Sequence, residues 1–135
     1  MFVKHLSIED GDAYELITDP EWERVGKAIK ELNGKEHTVI CLEGEKQIHM
    51  TIGGGPDAFV LYATGDHETF FTAFDPGKGG ETVEISVGQQ TNKYPTDLLV
   101  GKEVVLKAAK TFAETGKLEP SVPWRTTEET DTSSA

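Results

Sequence analysis

Apolar residues recur along this chain with two different periods, and each change of period marks an element. Residues 2 to 8 alternate weakly between apolar and polar positions, as a strand at a sheet edge does. Thr18-Asp19-Pro20 then opens a helix. Thr18 or Asp19 is placed to cap it, and Pro20 fits a first turn, where its missing N–H costs nothing. Trp22, Val25, Ile29 and Leu32 fall on one face at helical spacing, and Glu23, Arg24, Lys27, Lys30 and Glu31 take the other. Asn33-Gly34 ends the helix, with Gly34 free to turn left-handed.

Beyond this helix the period drops to two. Residues 37 to 43 are β-branched and apolar, and Gly44-Glu45-Lys46 is a turn. Residues 47 to 53 set Ile48, Met50 and Ile52 against Gln47, His49 and Thr51. Further strands are predicted over 57 to 64, with Phe59, Leu61 and Ala63 opposite Val60, Tyr62 and Thr64, and over 67 to 74. After the loop Asp75 to Gly80, residues 81 to 88 place Val83, Ile85 and Val87 inward, with Glu84 and Ser86 outward. Short connections make this an antiparallel meander of five to six strands. The helical period returns from Val100 to Thr115, where Val105, Ala108, Ala109 and Phe112 form a stripe that Gly116 stops. Leu118, Val122 and Trp124 punctuate an extended end, and Trp124 is expected to pack it onto the sheet. Helix, strands, helix is an α+β order, with both helices on one sheet face. Residues 1–125 read as one domain, and 126–135, all Thr, Ser, acid and a terminal Ala, as a disordered acidic tail.

Charge changes the picture most. Thirteen Lys and Arg against 24 Asp and Glu leave a net charge of −11 on 135 residues. Such a field repels nucleic acid and anionic membrane and attracts basic proteins. Cys41 is the single cysteine and sits within an apolar run, so it reads as a core residue of a chain kept in a reducing compartment. Met1-Phe2-Val3-Lys4-His5-Leu6 lacks the pattern of a signal peptide, and no apolar run nears the ~20 residues of a membrane span. A cytoplasmic protein is the expectation.

Candidate chemistry adds little. Gly53-Gly54-Gly55-Pro56 is followed by strand residues, whereas a phosphate loop must lead into a helix, so the glycines serve a bend or bulge. Gly77-Lys78-Gly79-Gly80 is a hairpin loop, and Gly88-Gln89-Gln90 with Tyr94-Pro95 joins the last strand to the second helix. His5, His37, His49 and His67 stand on separate elements with no pair at ligand spacing, so no metal site is expected. No Gly-x-Ser-x-Gly nucleophile elbow occurs.

The order of landmarks is more specific than any one of them. Pro20-x-Trp22-x-x-Val25 leads the first helix. Ile52-Gly53-Gly54-Gly55 and Val87-Gly88-Gln89-Gln90 each follow a strand, and Tyr94-Pro95 precedes the second helix. Ala108-Ala109-x-x-Phe112-x-x-x-Gly116 and Leu118-x-Pro120-x-x-x-Trp124 close the series. Over residues 18 to 124 this resembles the first-numbered ("Imm-one") family of immunity proteins from bacterial polymorphic toxin systems. The resemblance implies an antidote that binds a toxin domain and blocks it. In such families the toxin is often a deaminase or another enzyme acting on nucleic acid.

The resemblance and the charge point the same way, since a toxin acting on nucleic acid needs a basic groove that an acidic inhibitor can fill. The candidate contact set consists of Asp57, Asp66, Glu68, Asp75, Glu81, Glu84, Gln89 and Gln90, polar residues that no core explains. No catalytic residue and no cofactor is called for. Two alternatives belong to other classes. One is a small enzyme or ligand-binding domain with a pocket near His49, Tyr62 and His67; the other is a scaffold subunit without a toxin.

Overall fold

The computed structural model describes the chain except for residues 1, 11–12, 34, 36, 46–47, 56–57, 65–68, 76, 78, 88–89 and 129–135. The first two strands, β1 (His5–Asp10) and β2 (Ala13–Thr18), form a hairpin. Helix α1 (Trp22–Glu31) follows, then β3 (His37–Glu43), β4 (His49–Gly54), β5 (Phe59–Thr64) and β6 (Thr69–Ala73). Next come β7 (Thr82–Val87), β8 (Gln90–Pro95), a short 3-10 turn over Thr96–Leu98, α2 (Lys102–Thr115) and β9 (Trp124–Glu128).

Seven strands make one antiparallel sheet in the order β2-β1-β3-β4-β5-β6-β9. The meander expected from the short connections runs unbroken from β3 to β6. The chain then leaves the sheet. Among the described residues β7 and β8 pair only with each other, as a two-stranded ribbon.

Alternation explains the two faces. Ile40 and Leu42 of β3, Met50 and Ile52 of β4, and Phe59, Leu61 and Ala63 of β5 point to one side. There they meet Val25, Ala28 and Ile29 of α1, Leu32 just past its end, and Val105, Ala108, Ala109 and Phe112 of α2 in one core. Both helices therefore cover the same face, and the α+β expectation holds. Phe112 is fully buried, and the ring of Phe2 meets it edge-on, 5.8 Å between centroids at 76°. Burying each such aromatic contributes roughly 1.5–3 kcal/mol.

The opposite face carries a second, smaller core. Val60, Ile85 and Leu99 are buried together, with Tyr62, Val87 and Tyr94 packed against them. Burial, with Tyr62 close by, raises the Tyr94 phenol above its ordinary value. The ribbon closes on the sheet through glycine. A Cβ at Gly53 would stand 2.6 Å from Val87 Cγ1, and one at Gly54 2.9 Å from Ile85 Cγ2. Gly55, at φ +96°, lies against the Leu32 carbonyl, where any side chain would collide. The glycine run thus has the backbone role expected of it, and it also sets how closely two layers approach.

Three local expectations are corrected. The first strand is not an edge, because residues 13 to 18 fold back on it as β2 and take the outer place. The first helix starts at Trp22 with Glu21 at its cap, and no side chain caps it. Asp19 instead adopts φ 52°, and its amide donates to the Lys4 carbonyl at 2.8 Å, which spends the turn on joining β2 to β1. At the other end of the chain, residues 124 to 128 pair with β6 as β9, so the sheet reaches into the stretch read as a tail. Gly116 behaves as expected, stopping α2 at φ 74° while its amide donates to the Phe112 carbonyl.

Candidate partner-binding site

Of the polar residues singled out from sequence, Asp75, Glu81, Glu84 and Gln90 fall among the described residues, on the ribbon or beside it. Asp75 follows β6, and its amide donates to the Asp97 carbonyl at 2.7 Å. Its carboxylate accepts from the Gly77 amide at 3.0 Å, which shapes the loop. Glu81 precedes β7, is exposed, and its carbonyl accepts from the Thr96 amide at 3.0 Å. Both acids therefore flank the 3-10 turn, whose own Asp97 adds a third carboxylate. Glu84 lies farther along β7 on the solvent side, directly opposite Lys93 of β8. Gln90 opens β8, paired with Val87. Asp57, Asp66, Glu68 and Gln89 lie outside the described residues.

Two members of this cluster were not legible in the sequence. Asp97 sits in the 3-10 turn, and Arg125 comes from β9, 28 residues away. Arg125 Nη2 donates to Asp97 Oδ2 at 3.2 Å, and the guanidinium lies 5.0 Å from the centre of the Phe74 ring. With side-chain exposures of 48% and 25%, this pair is worth about 0.5 kcal/mol, and the ring adds a similar amount. Its role is to hold the start of β9 against the turn. Val83 is 40% exposed and lies on the face of β7 that carries Ile85, opposite the face of its neighbour Glu84.

A cleft of about 440 Å³ opens beside this cluster, between Phe74, Asp75, the start of α2 at Gly101 to Val104, and Val122-Pro123. Neither His49 nor Tyr62 lines it. Those two residues do share the ribbon-side face of the sheet, while His67 lies outside the described residues. Register also sets Glu43 opposite both His5 and His49. Among the described residues, however, no three His, Cys, Asp or Glu side chains converge as a metal site. Burial pushes the Cys41 thiol up to about 11, as befits a packed side chain rather than a nucleophile.

What the arrangement offers is an acidic, partly apolar surface on a ribbon seated on the sheet, and this suits recognition of another protein. The family model described as "Immunity protein Imm1" matches residues 15–126, most of the chain. The chain belongs to that family. It is an immunity protein, so its partner is a toxin. Among curated proteins, none matches it. The matched span begins within β2 and ends within β9, so it takes in both helices and the ribbon. No helix among the described residues is long and apolar enough to cross a membrane.

Trp124 occupies the place expected of it in this immunity protein. It is partly buried against the main core, and its indole N–H donates to the Glu119 carbonyl at 3.0 Å. Glu119 organises the same connection through its carboxylate, which accepts from Thr111 Oγ at 2.7 Å and from the Ser121 amide at 2.8 Å. These hydrogen bonds, with Ser121 contributing most, bring its carboxyl down to about 2.

Proposed function

We propose that this immunity protein neutralises a toxin acting on nucleic acid, a deaminase being the leading candidate, by covering the basic groove in which the substrate's phosphates would lie. The observation that carries the reading is the net charge of −11 on a chain whose family binds toxins. A groove built to hold a polyanion attracts an acidic protein by the same field, and complementary charge speeds the encounter. Asp75, Glu81 and Glu84 form the described part of the contact surface, with Asp57, Asp66, Glu68, Gln89 and Gln90 as its continuation. Their carboxylates set rate and specificity, while apolar groups at the centre carry the affinity. In this reading the protein makes and breaks no covalent bond, needs no cofactor or metal, and binds neither nucleic acid nor membrane. The binding domain reaches to Glu128 at the end of β9 and acts in the cytoplasm.

The test is to mix the purified chain with the toxin domain encoded beside its gene, then measure toxin activity and association. Inhibition at a 1:1 ratio is the expected result. Absence of a complex at micromolar concentration would remove the reading.

A further inference from the structure

The seven-stranded sheet ends on β2, and nothing among the described residues pairs with its outer rim. Natural sheets blunt such edges with Lys, with Pro or with a bulge, because unpaired N–H and C=O groups invite another strand. β2 reads Ala-Tyr-Glu-Leu-Ile-Thr, without Lys, Pro or a bulge, and its one charge, Glu15, is paired with Arg24 at 3.6 Å on the sheet face away from Tyr14 and Leu16. Its register with β1 is continuous from His5↔Thr18 to Asp10↔Ala13, so the strand is regular along its whole length.

Two large apolar side chains stand out from this edge. Tyr14 is 62% exposed and Leu16 53%, and as residues two apart they share the sheet face on which the ribbon lies. Tyr14 is also held in place, since its hydroxyl shares a hydrogen bond with Ser7 Oγ at 3.1 Å. A tethered tyrosine beside a leucine makes an anchor at small entropic cost. The charges around it are mostly acidic. Glu9 lies opposite Tyr14, Glu15 separates Tyr14 from Leu16, and Asp19 follows the strand. Of the nearby cations, Lys4 is exposed and Arg24 is engaged with Glu15 at 3.6 Å.

We infer that β2 is a second docking edge of this protein, where a strand of the basic toxin pairs with Ala13–Thr18 and covers Tyr14 and Leu16. The identity of the partner rests on the function proposed above. Charge selects this occupant over a second copy of the chain, because pairing two copies through β2 would bring two net charges of −11 together.

The experiment titrates the catalytically inactivated toxin domain encoded beside the gene against the parent chain, against the Tyr14→Ser/Leu16→Ser double variant, and against Glu81→Lys/Glu84→Lys. Amide hydrogen exchange is followed on the parent with and without toxin. The expected result is a dissociation constant raised at least about tenfold by the serine variant, with an unchanged melting temperature, and new protection of the amides of residues 13 to 18. The exchange measurement on the parent decides the matter even if the serine variant fails to fold. A parent that binds toxin while its β2 amides exchange as before, or a folded serine variant that binds as tightly as the parent, overturns the edge assignment and leaves the toxin reading standing. Concentration-dependent dimerisation of the parent that the serine variant abolishes also overturns it, in favour of a second copy. A parent that binds no toxin removes both readings.

Discussion

Val87 of the ribbon rests directly on Gly53 of β4, so closely that a Cβ at the glycine would stand 2.6 Å from Cγ1 and 2.8 Å from Cγ2 of the valine. The contact joins the ribbon to the sheet, and the second core of Val60, Ile85 and Leu99 closes over it. Gly53→Val is therefore expected to lift the ribbon and cost about 1–3 kcal/mol, read from a denaturant melt. Combining Gly53→Ala with Val87→Ala should recover part of the loss from Gly53→Ala alone. Equal melts for the parent and Gly53→Val would show that the ribbon does not sit there.

Phe112 tests the main core. It is fully buried on α2 and meets Phe2 edge-on. Phe112→Ala should destabilise the fold by about 3–5 kcal/mol, from lost burial and the cavity left behind. A loss under about 1 kcal/mol would mean that α2 is not anchored through this ring.

Glu119 gives the acid side of the stability profile. Its carboxyl lies below the usual value of 4.5, at about 2, because Ser121 and Thr111 donate to the charged form. A lowered folded-state value stabilises above the unfolded pKa. That stability is therefore present above about pH 4.5 and lost as pH falls toward 2. Glu119→Gln should flatten the fall in melting temperature between pH 5 and pH 3 relative to the parent. Parallel profiles for the two proteins would assign the acid response to other carboxylates.

Cys41 reports on the alkaline side. Its thiol is raised from 9.0 to about 11, chiefly by burial, although Thr51 Oγ donates to the sulfur at 3.8 Å. The raised value means that its contribution is intact below about pH 9 and declines as pH climbs toward 11. In the native protein at pH 8 the thiol is neutral, so iodoacetamide should modify it far more slowly than in urea. Native and unfolded chains reacting at the same rate would contradict this packing.

Salt separates steering from anchoring at the toxin interface. Glu81→Lys/Glu84→Lys should slow association with the toxin and weaken its dependence on salt, and leave dissociation largely as it was. An association rate of the parent that ignores ionic strength between 50 and 500 mM would remove electrostatic steering from the account.

The legible parts of this fold are those that local periodicity dictates. The stripes Trp22-Val25-Ile29-Leu32 and Val105-Ala108-Ala109-Phe112 became α1 and α2 within one or two residues, because an apolar face at helical spacing has few other ways to be buried. The alternating runs around Ile52, Leu61 and Ile85 became strands for the corresponding reason. Segments with mixed patterns were harder to read. Residues 13 to 18 place Glu15 among apolar neighbours, and residues 90 to 95 carry Asn92 and Lys93. They are strands because a hairpin partner supplies the hydrogen bonds, not because their own pattern asks for it.

From its residues alone, the chain was bound to be an acidic α+β protein with helices on one face of an antiparallel sheet, since charge balance and periodicity are properties of the sequence. Three features had to await tertiary structure: the ribbon on the second face, β2 as the outer edge, and Asp97 with Arg125 beside Asp75 and Glu81. The ribbon and the Asp97–Arg125 pair join segments far apart in the chain, and β2 is an edge because β1 gives its other side to the distant β3; such pairing is decided by how closely two surfaces can approach. At Gly53 that approach requires the absence of a side chain, and the meaning of that absence emerges only once Val87 is in place.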